Sequence, residues 1–80
     1  MQNRVILEAP FHATDQWQSL PGTVVEVRLR NRLYRRGFVD AAMPDASALR
    51  LAAYASFSRE FIDKARGYVV HTNLYPRTDH

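Results

Sequence analysis

The stretch GTVVEVRLRNRLYRRGFVDAA, residues 22–42, decides the fold. In its first half Val25, Val27 and Leu29 alternate with Glu26, Arg28 and Arg30, the period of two that marks a strand with one buried face. Asn31-Arg32 interrupts the run, and a second β-prone run follows at once from Leu33. Two such runs joined by a polar pair read as a hairpin, with Asn31 suited to a positive φ at the turn and a loop of two to four residues. In the second run the alternation fails. Placing Leu29 opposite Tyr34 and pairing strictly from there would send Arg36 to the apolar side. A bulge at Gly37 restores the phase, so that Val39 and Ala41 point inward and the arginines outward.

Working outward, residues 4–9 hold a short β-prone run closed by Pro10. Residues 11–22 read as a surface connection with one helical turn near Asp15–Ser19, punctuated by Pro21-Gly22. MPDAS, 43–47, is a turn, and LRLAAY, 49–54, alternates again. Across 56–67 the period changes: Phe57, Phe61, Ile62 and Ala65 share one helical face. Ser58 stands where an N-cap belongs, and Gly67 lies just past the last turn. A short helix with Phe57, Phe61 and Ile62 in the core is therefore expected there, followed by a closing strand over 68–74. The sum is a mainly β domain, a small antiparallel barrel of about five strands with one short helix before the last. One domain is expected over 1–75, with its core in 22–74 and a disordered tail at 76–80.

The patterns G-x-V-V-x-V-R, R-x-G-x-V-D and P-D-x-x-x-L-x-L within 22–51 resemble those of small SH3-like β-barrel proteins. Over residues 22–70, with the helix and the G-Y-x-V ending, the chain is also similar to uncharacterised short proteins of high-GC bacteria. The resemblance implies an SH3-like barrel and no biochemical activity.

Composition restricts function further. The chain has 80 residues and no cysteine, and its three histidines are scattered, so disulfides, thiolate metal sites and zinc spacing are all missing. No metal or cofactor is expected. No serine sits in a nucleophile elbow and no glycine-rich phosphate loop occurs, so an enzyme is disfavoured. One histidine, His71, could meet Asp40 or Asp63 in space, but such a pair arises by chance in most small proteins. No apolar run approaches the ~18 residues of a membrane helix, and no signal-peptide pattern opens the chain, so a cytoplasmic protein is expected.

Charge is the sharper signal. Five of the eleven basic residues fall between Arg28 and Arg36, and the remainder of the chain carries six basic and eight acidic residues. Ten of the eleven are arginine, beside ten alanines, a bias that GC-rich codon usage also produces. Clustering therefore says more than residue identity. Arg28, Arg30, Arg32, Arg35 and Arg36, with Tyr34 and Phe38 interleaved, form a candidate nucleic-acid surface in which guanidinium groups meet phosphate and an aromatic ring stacks on a base. The opposing reading makes them solvated edge charges, two of them neutralised by Glu26 and Asp40. A third reading is a protein or peptide partner bound in an aromatic groove of Trp17, Tyr54 and Tyr68. In the structural alternative Trp17 instead forms a lid over one end of the barrel and Tyr68 closes it. The sequence thus points to a binding module whose partner is nucleic acid or protein.

Overall fold

A computed structural model describes residues 10–73 of the chain. The expected first strand at 4–9 and the tail at 76–80 lie outside the described residues. Six strands form one antiparallel sheet: β1 (His12–Thr14), β2 (Val24–Leu29), β3 (Arg32–Ala42), β4 (Ala48–Leu51), β5 (Glu60–Asp63) and β6 (Tyr68–Thr72). Their spatial order is β1-β6-β2-β3-β4-β5. β2 through β5 run as a meander, and β6 then returns to the far side of β2. β1 and β5 end the order and do not pair with each other, so the sheet is open where a closed barrel was expected. β1 itself was not foreseen; it adds an edge beside β6 through His12↔Thr72 and Thr14↔Val70.

The hairpin of 22–42 forms as its pattern dictates. Leu29 pairs with Arg32, leaving Arg30 and Asn31 as a two-residue turn with φ of 54° and 65°. Positive φ at both central residues is the type I′ signature, whose twist matches that of the flanking strands. The irregularity in register lies between Val27 and Arg28, opposite Leu33 and Arg35, so the extra residue of β3 is Tyr34. Gly37 is not bulged. It pairs regularly with Val25, and its value is space: a Cβ there would lie 3.0 Å from Leu51 Cδ1. A second irregularity, at Asp40, re-phases β3 as it passes from β2 to β4.

One face of the sheet holds the core. Trp17, Leu20, Val25, Val27, Val39, Leu49, Leu51, Ile62 and Val70 are buried, with Ala42, Ala46 and Tyr68 packed against them. Trp17 starts a 3-10 turn (Trp17–Ser19) that covers this face. Its indole Nε1 donates to Thr14 O at 3.1 Å, which satisfies the one polar group it takes inside. Trp17 is thus the lid of the core.

The expected helix at 56–67 is overturned. Residues Glu60–Asp63 are strand β5, paired to β4 through Ala48↔Asp63, Leu49↔Ile62, Arg50↔Phe61 and Leu51↔Glu60. Only a single 3-10 turn, Lys64–Arg66, remains, capped by the Asp63 carboxylate, which accepts from Ala65 N, and ended by Gly67 at φ 94°. Ser58 caps nothing. An N-cap is worth about 0.5–2 kcal/mol, whereas β5 satisfies the open edge of β4 and buries Ile62 completely. In strand phase Phe61 faces away from the core and is 67% exposed, and Phe57 is half exposed.

Ile62→Ala should therefore cost about 2–5 kcal/mol of stability, while Phe61→Ala should stay within about 0.5–1 kcal/mol. Denaturant unfolding checks both, and the reverse order would restore the helical phase. Gly37→Val should lower stability by about 1–3 kcal/mol through overpacking against Leu51; an unchanged melt would show that Leu51 yields freely.

Candidate nucleic-acid interface

The five clustered arginines do not form one surface. The extra residue at Tyr34 turns Arg35 inward beside Val27, while Arg28 and Arg36 point outward. Arg28 and Arg35, both expected on the outward surface, lie on opposite faces.

Arg35 is buried, its side chain 4% exposed. A buried guanidinium is costly unless paired, and its partners come from the segment after β4. Nη1 donates to Ser58 O and to Glu60 Oε1, both at 3.2 Å, and Nε donates to Arg36 O. The Phe57 ring lies against the guanidinium, 4.5 Å from centroid to Cζ. Arg35 is thus a strut that ties the 57–60 segment to the hairpin and presents no charge to solvent.

Arg28 and Arg36 bracket Glu26. Arg36 Nη2 donates to Glu26 Oε2 at 2.8 Å, and Arg28 Nη2 approaches Oε1 at 3.4 Å. The carboxylate is nearly buried, while the Arg36 side chain remains 64% exposed. Asp40, expected to neutralise a hairpin arginine, instead accepts from Arg50 Nε at 2.7 Å.

Arg30 and Arg32 remain. Both are exposed at the tip, and neither has an ion pair among the described residues. They line an open cleft of about 380 Å³ together with Leu29, Leu33 and Tyr34. Leu29 and Leu33 were missed as lining residues. The signal was available in the two-residue turn, which places both beside the tip. Tyr34 sits edge-on to Tyr68, with ring centroids 5.2 Å apart, and its hydroxyl donates to Glu60 Oε2 at 2.5 Å. That bond, reinforced by partial burial, pushes its pKa up to about 12.

The aromatic groove is not assembled. Trp17 is in the core, under the Lys64 ammonium at 4.8 Å, and Tyr68 packs against the core edge. Tyr54 is 72% exposed in a turn bridged to Phe57. His71 meets neither Asp40 nor Asp63; its register partner on β2 is Glu26. No group of three or more His, Asp or Glu able to hold a metal occurs among the described residues. Comparison of the chain with protein-family models, curated proteins and solved structures finds no match.

The tyrosine offers a direct check of this geometry. Because its pKa is raised, the folded state holds the Tyr34 proton more tightly than the unfolded chain. The contribution to stability is complete below pH 10 and is lost as pH rises from 10 through about 12. Difference titration of the native protein against Tyr34→Phe should show an ionisation near pH 12. Glu60→Gln should move it back toward the ordinary value of about 10. A native titration already at the ordinary value would remove the Tyr34–Glu60 bond from solution.

Proposed function

We propose that this protein is a non-enzymatic binding module that takes nucleic acid on the tip of its β2–β3 hairpin. Arg30 and Arg32 are the phosphate contacts, and Tyr34, Leu29 and Leu33 form the apolar floor beside them. The observation that carries this reading is the tip cleft, where two exposed arginines with no ion pair among the described residues adjoin apolar and aromatic surface. Guanidinium groups match phosphate oxygens in pairs, and ring faces accept unstacked bases. The opposing reading, solvated charges on an edge, fits Arg30 and Arg32 poorly, because the hairpin they cap lies in the middle of the strand order.

Kinship with SH3-like barrels belongs to the same proposal. It is supported by the meander β2-β3-β4-β5, the 3-10 turn that follows, and the return of β6 to pair with β2. A cytoplasmic setting is also part of it. The lack of cysteine is in keeping with that setting, and no helix among the described residues is long and apolar enough to cross a membrane.

Fluorescence anisotropy with labelled oligonucleotides at several salt concentrations tests the function. Arg30→Glu with Arg32→Glu should remove most binding and leave the melt within about 0.5 kcal/mol of native. Neutralising both, as Gln, should flatten the slope of log affinity against log salt by about 1.4 for a single strand and 1.8 for a duplex. Failure of every oligonucleotide to bind at low salt, where attraction is strongest, would refute the proposal.

A further inference from the structure

The sheet face opposite the core repeats one arrangement twice. On β3, Arg36 is held by Glu26, and Phe38, two residues on and on the same face, is 44% exposed. Directly across from Phe38 lies Val24, itself half exposed. On β4, Arg50 is held by Asp40, and directly across from it on β5 lies Phe61. In each case a carboxylate fixes an arginine beside an outward phenylalanine, Phe38 partly and Phe61 largely exposed, and the Phe11 ring centroid lies 6.0 Å from Arg36 Cζ. Glu26 is nearly buried, so at this point the face presents guanidinium outward and keeps its carboxylate beneath. Each arginine gives its carboxylate only part of its donor set: Arg36 uses one Nη2 bond, and Arg50 uses Nε.

We propose that this face is a stacking platform for single-stranded nucleic acid, in which Phe38 and Phe61 each take an unpaired base and Arg36 and Arg50 take the phosphates beside them. The proposal rests on the reading of the hairpin tip given above and names the substrate class as single-stranded. A duplex keeps its bases stacked inside and has no use for exposed rings on a sheet, whereas splayed bases stack on such rings. At the Glu26 site, where Arg28 and Arg36 flank one nearly buried carboxylate, the charge presented outward is positive and suits a polyanion. The carboxylates hold the guanidinium groups in place before binding, which lowers the ordering cost. From Arg32 to Phe38 is six residues of strand, about 20 Å. A strand reaching from the tip to the first ring therefore spans no more than about six nucleotides at 3.4 Å each.

The test uses the full chain and fluorescein-labelled oligo(dT) of 4 to 16 nucleotides, site sizes of the usual range, with a duplex of matched length as competitor. Phe38→Ala and Phe61→Ala should each weaken single-strand binding by about five- to a hundredfold without altering the salt slope. Phe38→Trp should preserve binding, and Arg36→Gln should flatten the slope by about 0.7. Tyr54→Ala, an exposed ring away from this face, should bind as the native protein does. Both phenylalanines are exposed, and thermal melts confirm that each variant is folded. Single-strand binding unchanged in both alanine variants overturns the platform and leaves the hairpin-tip proposal standing. A duplex bound as tightly as the single strand also overturns it. So does a concentration-dependent dimer in sedimentation that Phe38→Ala or Phe61→Ala abolishes, since a second copy would then own the face. Absence of any oligonucleotide binding removes both proposals together.

Discussion

The residue that β3 inserts opposite Val27 and Arg28 sets the phase of everything after it. With strict pairing from the two-residue turn, Tyr34 would face Val27, Arg35 would join Glu26 outside, and Arg36 would enter the core beside Val25. The extra residue shifts each by one place. Arg35 goes inward, Arg36 meets Glu26, Gly37 meets Val25, and Phe38 goes outward. The inward place opposite Val25 then falls on the one residue of β3 without a side chain, and Leu51 occupies the space. A slip of one residue exchanges the two faces of a strand, so the bulge and the glycine are a single device. Without the bulge, β3 would bring Arg36 into the core opposite Val25, and without the glycine it would bring a side chain into space that Leu51 already fills.

Turning Arg35 inward carries an electrostatic cost, and the sequence offsets it from a distance. Between Ala53 and Arg59 the chain contributes no buried side chain, yet it lies along the sheet because Phe57, Ser58 O and Glu60 all rest on one guanidinium. Glu60 then spends its other oxygen on Tyr34. The bulged residue and the residue after it are thus both fastened to the first residue of β5. Hairpin phase and β5 position are coupled through one carboxylate. Arg35 keeps one buried nitrogen, Nη2, without a partner, so this strut is not fully satisfied and its stabilising effect is smaller than its list of contacts suggests.

The hairpin and its turn were legible because they rest on short-range physics: alternation over Val25 to Leu29 and the tolerance of Asn31 for positive φ. The bulge was legible as a necessity and misplaced in position. Gly37 is the obvious local marker, but the choice between Gly37 and Tyr34 depends on Leu51 and Glu60, both far along the chain. The 56–67 segment failed for a related reason. Its apolar residues fit a helical face, and its ends carry a capping serine and a closing glycine, all local. What decided it was the unpaired edge of β4, a tertiary demand that no window of sequence contains. The surviving 3-10 turn at Lys64–Arg66 keeps the end signals that were read correctly, with Gly67 left-handed at its close. For the candidate site, clustering located Arg30 and Arg32, and it overcounted by including Arg35, whose orientation hangs on the bulge.

An open sheet must also guard two edges, and the distribution of charge shows how this one does so. β1 is only three residues long. β5 is four residues long and carries Glu60 and Asp63, with Arg59 before it and Lys64 after it. Short length and mixed charge are the usual means of making an edge a poor template for another strand. Lys64 is further occupied, donating to Asp15 O at 3.0 Å and lying over the Trp17 ring. The outer face is treated differently. Val24, Phe38 and Phe61 stay exposed there, and its arginines are braced by carboxylates instead of being free to shield them. A surface needed only for solubility would gain from polar residues at those three positions at little cost to a core that they do not touch. Protection is concentrated on the edges and the rings are left open on the face, which is the arrangement the proposed stacking platform requires.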